Sequence, residues 1–530
     1  MAVTTPVMYK DMYLGSMDTN TADLILKIRD EKVIPALKGM IFKFPPKMVL
    51  RSIKEQKSLR NIIKEEGLDY TNYIGELRDY QTVGTAFMYA SNRSIIADGV
   101  GSGKTAEIGA LINFLKQKGE LTRFLMAVEN SAIGQTVAEM IKFTGLHIIS
   151  LPSEAPKLRR AIDKVDWNKV DGIVIKHSTL RSDVLSKWLS LNINEDGICR
   201  IFNTFILDES SVIKNVGTKT ATYTRNICNI TPRVHLMNAT VFETHIMDIY
   251  NQIDLIDPRI LPKKWRIEKE FCRYKKIAYW KRVGGKPEIN FKRDLQGYKN
   301  QDVFKEALKL VYFGRSKKEI GLEKPHIYKI FEVEPTNKQS MALAKKYRHM
   351  EVLNCPSLIE DINIPTDRKN VPKIDRLITL VENDFSEDNI MIYCFHNDAQ
   401  YEIQKELIKI GRKPAVLNGK CSDDEKWDIQ SKFNKGEYDV VITNIQKSLN
   451  LHGGDVCIFY SILPSSAKFV QTGGRIDRNI DDSVKTFVLM LYRGTDEYKY
   501  FADTVKQRAI DSRDLTIDSE TIVDYLVNNL

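Results

Sequence analysis

Residues 94–119 read SIIADGVGSGKTAEIGALINFLKQKG, and the order of residue types in that stretch decides the architecture. A short apolar run ends at an acid, a glycine loop follows, and apolar residues then recur at Ile108, Leu111, Ile112 and Leu115. That i, i+3, i+4, i+7 spacing is an amphipathic helix, so the stretch reads strand, glycine loop, helix. Gly101 and Gly103, with Ser102 between them, let backbone N–H groups close on phosphate oxygens that a Cβ would obstruct. Lys104 is placed to reach the β- and γ-phosphates, and the Thr105 hydroxyl to hold Mg²⁺. The positive end of the helix adds to the same site. The strict phosphate-loop pattern asks for a small residue six before Lys104, and Asp98 stands there.

Outward from this stretch the chain keeps a rhythm. Short apolar runs recur at 124–128 (FLMAV), 172–176 (GIVIK), 204–208 (TFILD) and 234–238 (VHLMN). A second series covers 389–395 (NIMIYCF), 414–418 (PAVLN), 439–443 (DVVIT), 456–460 (VCIFY) and 486–492 (TFVLMLY). Runs rich in Ile, Val and Phe, spaced by helix-length segments, indicate parallel sheets covered on both faces. The expected fold class is therefore α/β, with two parallel-sheet lobes in tandem and helical or basic insertions. The expected division is a helical, basic extension over 1–65, an ATP-binding lobe over 66–257 and a basic, aromatic insertion and linker over 258–365. A second lobe over 366–500 and a helical tail over 501–530 follow.

Behind the run TFIL two acids stand together, Asp208 and Glu209. About a hundred residues after a phosphate loop, a strand-end acid pair suits nucleotide hydrolysis. Asp208 would hold Mg²⁺ and Glu209 would orient water. In the second lobe, FVQTGGRIDRN (469–479) offers Arg475 and Arg478. Three apart on a helix they would share a face, and an arginine on developing γ-phosphate charge is worth about 10³–10⁵ in rate.

Hydrophobic residues make up 43% of the 530 positions and charged residues 28%, which suits folded lobes of ordinary size rather than a disordered or fibrous chain. The net charge of +10 favours a polyanionic partner. Seven cysteines lie scattered with no CxxC pair, which argues against a disulfide framework or zinc site. No secretory leader and no run of about 20 apolar residues is visible, so an intracellular, cytoplasmic setting without membrane association is expected. A chain rich in Lys, Asn, Ile and Tyr would suit a bacteriophage or a small bacterial genome, and then the host cytoplasm.

The ordered set of motifs resembles helicase superfamily two, and within it the Swi/Snf-type DNA translocases. LRDYQTVG (77–84) looks like the family's adenine-sensing motif, which implies Gln81 as the adenine contact. DGVGSGKT resembles the first motif, including its leading aspartate, and LDESSVIKNVGTKTATYTR (207–225) resembles the second with its basic continuation. LMNATVFETHIMDIYNQIDLIDP, GRSKKEIGLEKP, VPKIDRLITLVEN, VVITNIQKSLNL and QTGGRIDR continue the series in order over roughly 75–500. Ser211 stands where the family has histidine, and Asn238, Ala239, Thr240 and Val241 replace Thr-Gly-Thr-Pro in the third motif. The resemblance implies two RecA-like lobes, ATP and Mg²⁺ as cofactors, and an ATP-driven motor on DNA, duplex or branched, whose protein partners the sequence does not name. Alternatives are a non-catalytic nucleic-acid-binding module with a decayed site, the motor subunit of a restriction or nuclease system, and an RNA helicase.

Residues 263–293 hold twelve Lys or Arg against three Glu. Lys263, Lys264, Arg266, Arg273, Lys275, Lys276, Lys281 and Arg282 interleave there with Trp265, Tyr274, Tyr279 and Trp280, as cations on phosphates and rings on bases would require. GGKP at 284–287 reads as a turn, so this region is expected to project from the first lobe as a hairpin or helical pair.

Overall fold

The computed structural model describes residues 4–9, 12–18, 75–334 and 372–501, apart from 240–244, 259, 262–263, 284–285, isolated positions between 302 and 325, 447–448 and 478–482. The chain divides into two compact units. The first holds the residues up to Asp98 and from Gly103 to Arg315; the second holds Gly99–Ser102 and the chain from Ser316 on, apart from Asp514–Ile517.

The first unit carries α1 (Asp79–Ser91), β3 (Arg93–Ile96), α2 (Lys104–Gln117), β4 (Phe124–Val128), α3 (Ile133–Thr144), β5 (Ile148–Leu151), α4 (Ala155–Lys164) and β6 (Gly172–Lys176). It continues through α5 (Asp183–Ser190), β7 (Thr204–Leu207), α6 (Lys219–Asn229), β8 (Arg233–Met237), α7 (Met247–Ile256) and α8 (Lys264–Phe271). Its seven strands run parallel in the order β11-β3-β8-β7-β4-β6-β5, with β11 at Tyr312–Phe313. Successive residues of one strand serve different cores. Leu125, Ala127, Phe205 and Leu207 pack into one apolar cluster, while Phe124, Met126, Val128 and Ile206 pack into another. Continuous apolar runs are what a strand buried on both faces demands.

The second unit repeats the plan with β12 (Ile327–Val333), α9 (Pro372–Asn383), β13 (Ile390–Tyr393), α10 (Asn397–Lys409), β14 (Pro414–Leu417) and α11 (Asp423–Asn434). Then come β15 (Val440–Thr443), β16 (Val456–Phe459), α12 (Ser466–Gly473), β17 (Thr486–Tyr492) and α13 (Asp496–Lys499). Its six strands are parallel in the order β12-β17-β16-β13-β15-β14. Met391 and Tyr393 face one core, Ile390 and Ile392 the other. The α/β class with two parallel sheets in tandem is thus the architecture of this chain.

Two expectations need correction. Residues 4–9 and 12–18 are not helical: β1 (Thr4–Tyr9) and β2 (Met12–Asp18) pair antiparallel, as the Thr, Val and Tyr content of the stretch favours. The rest of the 1–65 extension up to residue 65, and the tail beyond 501, lie outside the described residues. The 258–365 insertion also contributes strands. It supplies the long hairpin β9 (Cys272–Val283) and β10 (Lys286–Tyr298), the edge strand β11 of the first sheet and the edge strand β12 of the second. Edge strands carry mixed or short apolar patterns, so the search for continuous apolar runs passes over them. Finally, α12 ends at Gly473, so Arg475 lies beyond the helix rather than on it, and Arg478 lies outside the described residues. The Gly473-Gly474 pair stops the helix where backbone freedom is greatest.

Candidate nucleotide site and nucleic-acid surface

Parallel α/β sheets present ligand sites beyond the carboxyl ends of their strands, and the candidate residues of the first unit gather there. The glycine loop leaves β3, and Gly103 caps α2 at φ +82° while Gly101 takes φ +83°. A Cβ on Gly103 would come within 2.6 Å of Gln81 Nε2. Gln81 is buried on α1, its Oε1 accepting from the Arg78 backbone N–H at 2.9 Å and its Nε2 donating to the Gly103 carbonyl at 3.5 Å. Lys104 Nζ donates to the Asp98 carbonyl at 2.7 Å, and Thr105 follows it in the first turn of α2.

Strand β7 ends one strand away from β3, across β8, and delivers Asp208 and Glu209. Asp208 donates its backbone N–H to the Ala127 carbonyl at 2.9 Å and accepts the Glu209 N–H on Oδ1 at 2.9 Å. Its carbonyl lies 2.9 Å from His177 Nε2. Burial first, then the Glu209 carboxylate, push the Asp208 carboxyl up to about 7 against the opposing charge of Lys104. Glu209 sits at φ +47°, a left-handed conformation rare for a residue with a Cβ. The turn behind it is fastened to α7: Ser210 Oγ donates to Gln252 Oε1 at 2.5 Å, and Asn251 donates to the Ile213 carbonyl.

These residues fit a magnesium-bound triphosphate. Gly101 and Gly103 take left-handed conformations that glycine adopts freely, and a Cβ at Gly103 would crowd the Gln81 side chain. The half-buried acids Asp208 and Glu209 form a hard-oxygen donor set whose mutual repulsion a divalent cation relieves.

Two residues that sequence reasoning did not single out, Arg315 and Glu107, stand beside Asp98 at this site. Asp98 is fully buried, and its carboxylate accepts from the Arg315 backbone N–H at 2.9 Å, from Arg315 Nε at 3.2 Å and from Arg315 Nη2. Arg315 also donates to the Tyr80 carbonyl at 2.8 Å and lies 4.4 Å over the Phe313 ring. Glu107 is equally buried, 3.8 Å from Arg315, and burial and the Asp98 charge push its carboxyl well above the usual carboxylate range. The available signal was the basic stretch GRSKKEIGLEKP, read as a segment rather than residue by residue. Edge strand β11 explains the placement: Phe313 pairs with Ile96, which puts the following Arg315 beside the residue that opens the glycine loop.

In the second unit Gln471 and Arg475 are buried, and Arg475 Nη1 donates to the Leu449 carbonyl at 3.3 Å. Asp477, two residues on, accepts from Lys317 Nζ and lies 3.4 Å from His326 Nε2. Burial alone would raise its carboxyl, but His326 and Lys317 together hold it well below the usual carboxylate range.

The basic region forms a hairpin. β9 and β10 pair antiparallel from Cys272↔Tyr298 at the base to Val283↔Lys286 at the tip. At about 3.3 Å per residue its arms extend roughly 40 Å. Ile267, Phe271, Cys272 and Tyr298 anchor its base in the first unit's core, and Tyr274 OH lies 3.0 Å from His245 Nε2. Beyond that base Arg273, Lys275, Lys276 and Phe291 are exposed. Lys264 is exposed and Arg266 half-buried on α8; Lys281 and Arg282 belong to β9, and Lys263 lies outside the described residues.

Comparisons with known proteins show what the chain is similar to. The model of the helicase conserved C-terminal domain matches residues 372–479, which is α9 through the end of the Arg475 loop. The chain is 22% identical over 519 residues to the SWI/SNF-related matrix-associated actin-dependent regulator of chromatin subfamily A-like protein 1 of Xenopus laevis, covering 93% of this chain and 50% of that protein. An uncharacterized ATP-dependent helicase of Bacillus subtilis is 23% identical over 413 residues, covering 73% of this chain and 70% of that one. A Sulfolobus solfataricus SWI2/SNF2 ATPase core in complex with dsDNA aligns with 84% of this chain and 96% of its own, at 18% identity and a TM-score of 0.40. The chain spans about half the length of the Xenopus relatives it matches. Residues 372–479 thus match a helicase conserved C-terminal domain, and most of the chain is similar to a SWI/SNF-related protein and to an ATP-dependent helicase.

Proposed function

We propose that this chain hydrolyses ATP with Mg²⁺ and couples hydrolysis to movement along, or remodelling of, duplex or branched DNA. The observation that carries the reading is the gathering of Gln81, Lys104 and the half-buried pair Asp208–Glu209 at the carboxyl ends of two strands of one sheet. Gln81 would contact the adenine, the loop amides at Gly101, Ser102 and Gly103 would bind phosphate oxygens, and Lys104 would balance the β- and γ-phosphate charge. Thr105 and Asp208 would hold Mg²⁺, which when bound neutralises charge on the phosphate oxygens. Glu209, fixed by its left-handed backbone, orients the attacking water and takes its proton. Arg475 and Arg478 of the second unit supply the positive charge that hydrolysis develops a need for.

The hairpin is the DNA-facing element in this reading. Its exposed cations neutralise phosphates without reading sequence, and Phe291, 64% exposed, offers a ring to a base. The chromatin-regulator name of the Xenopus relative supports DNA as the track. Phosphate release measured with duplex, single-stranded and forked DNA and with RNA tests the proposal. Stimulation by DNA that Lys104→Ala abolishes is expected; DNA-stimulated hydrolysis surviving in Lys104→Ala would refute the site.

A further inference from the structure

Within the first unit the hairpin and the acid pair hold the same helix. Each arm of the hairpin carries a tyrosine at its base, Tyr274 on β9 and Tyr298 on β10, and both hydroxyls meet the entry to α7. His245 Nδ1 accepts the Met247 N–H at 3.1 Å, so the neutral ring carries its proton on Nε2 and donates it to Tyr274 OH. Burial lowers this histidine below its ordinary 6.5, which keeps the ring neutral. Tyr298 OH accepts the Ile246 N–H at 3.2 Å. Asp248, in the first turn of α7, takes the His245 N–H at 3.1 Å. One turn further on, Gln252 accepts from Ser210 Oγ, while its own Nε2 donates to the Asp248 carbonyl at 3.0 Å. Beside it Asn251 donates to the Ile213 carbonyl and accepts from Arg225 Nη2 at 2.9 Å. We propose that α7 is a strut between the hairpin and the acid pair. Gln252 and Asn251 are positioning residues for Asp208 and Glu209, and the Tyr274–His245 and Tyr298 contacts pass DNA engagement of the hairpin to them. The inference rests on the function read above, and every member of the strut lies in the first unit.

Packing alone is a weak reason for these contacts. Ser210, Asn251 and Gln252 are buried, and a buried amide gains little over an apolar side chain of its volume. What a satisfied buried polar pair adds is a single geometry. Here that geometry belongs to the turn Ser210–Ile213, directly behind the left-handed Glu209. At the other end of α7, Arg93 at the start of β3 donates to the Leu255 and Ile256 carbonyls at 2.8 Å each. Pinned there, the helix takes up a shift at its entry as a tilt, and the tilt moves Asn251 and Gln252. Its ten residues span roughly 15 Å, so the hairpin base and the acid turn are joined by one short, rigid element. Load on the hairpin reaches that entry directly. Arg273 and Lys275 flank Tyr274 on β9 and are exposed, with side chains on the opposite face of the strand. A displacement of about 1 Å at reacting groups can cost on the order of 10²-fold in rate.

The test measures phosphate release by the full chain with and without duplex DNA, KM for ATP, and affinity for a fluorescent duplex. His245→Asn with Tyr298→Phe opens the hairpin end: the asparagine keeps an acceptor for the Met247 N–H but is too short to reach Tyr274. That pair should leave DNA affinity and DNA-free turnover within about twofold and lower DNA-stimulated kcat by about fivefold or more. Gln252→Leu keeps the volume and opens the acid end. It should lower DNA-free kcat by about tenfold with KM within about twofold, a split that general unfolding does not produce. Combining all three changes should cost no further stimulation, because a strut opened at one end has nothing left to transmit. Should Gln252→Leu fail to fold, Ser210→Ala opens the same bond with the loss of one atom and takes its place. Full stimulation in the His245–Tyr298 variant, stimulation restored simply by more DNA, or losses that multiply in the combined variant overturn the strut. So does an unchanged DNA-free kcat in Gln252→Leu. Lys104→Ala run alongside keeps the two ideas apart. Hydrolysis that survives it refutes the nucleotide site, whereas DNA-stimulated hydrolysis that needs Lys104 but ignores His245, Tyr298 and Gln252 sinks the strut alone. An unmodified chain that DNA does not stimulate overturns both.

Discussion

Each unit buries an ion pair, and the two pairs are built differently. In the second unit Lys373 and Glu497 are sealed at 0% and 2% exposure, 2.6 Å apart. The second carboxylate oxygen accepts the Tyr492 N–H at 3.1 Å, and the ammonium lies 5.2 Å and 5.1 Å from the Tyr460 and Tyr492 rings. Charge is balanced and every oxygen is used, so the pair pins the start of α9 to α13. In the first unit one guanidinium, Arg315, faces two fully buried acids, Asp98 and Glu107. Asp98 takes the bonds, and neither Glu107 oxygen has a hydrogen-bond partner among the described residues. A fold that only needed a staple would match charges, as the second unit does. Beneath the phosphate loop the second acid is met instead by burial and the Asp98 charge, which push the Glu107 carboxyl toward its neutral form.

The largest effect that separates the units is on hydrolysis. Lys104→Ala is expected to lower DNA-stimulated phosphate release by at least about 10²-fold, whereas Lys373→Met should leave kcat at 20 °C nearly unchanged as long as the chain is folded. Equal losses in the two variants would erase the distinction drawn here. Next in size, Lys373→Met strands Glu497 and should cost about 3–5 kcal/mol, read as a lower thermal midpoint. Adding Glu497→Leu should recover most of that loss, because it removes the orphaned charge.

Acid should divide the units further. Burial, helped by Arg233 and Arg93, pushes His235 down to about 3 from an ordinary value of 6.5, and its Nδ1 lies 2.9 Å from Ser94 Oγ. A histidine lowered on folding contributes fully above its unfolded value and loses that contribution as pH falls toward the folded one. Between pH 7 and pH 5 the first unit should therefore lose about 2 kcal/mol. Asp477 is lowered in the other sense of charge, so its contribution persists until pH falls below its ordinary 3.8. Hydrogen exchange followed by mass spectrometry should show peptides of the β3–β8 sheet loosening first, and Ser94→Ala with His235→Leu should flatten that response. The smallest effect is on the hairpin: Arg273, Lys275 and Lys276 changed together to Gln should reduce the slope of log affinity for DNA against log salt by about 3. DNA-independent hydrolysis should not move, which a titration in KCl alongside a phosphate assay checks.

The strands that carry chemistry were legible because buried parallel strands are continuous apolar runs, and Gly103, Lys104, Asp208 and Glu209 follow such runs directly. The hairpin was half legible: the sequence GGKP suggests a turn, but basic residues alternating with aromatics suit helix and strand alike. What stayed hidden depends on distant partners. Arg315 gains its meaning only from Asp98, 217 positions away, and Gln252 from Ser210, 42 positions away. Nor could spacing reveal β11, whose two residues are a strand only because β3 offers them an edge. Arg475 and Arg478 seemed to share a helical face because the period of three was read through a pair of glycines that ends the helix.

That short edge strand has a practical consequence for dissecting the molecule. A fragment cut where the apolar rhythm of the first half ends, near residue 257, would strip β3 of its outer neighbour and leave a row of backbone donors and acceptors bare beside the phosphate loop. Open edges of that kind recruit other chains and aggregate, and Asp98 would be stranded without its guanidinium. An isolated first half that stays soluble must carry the polypeptide through Arg315, hairpin included.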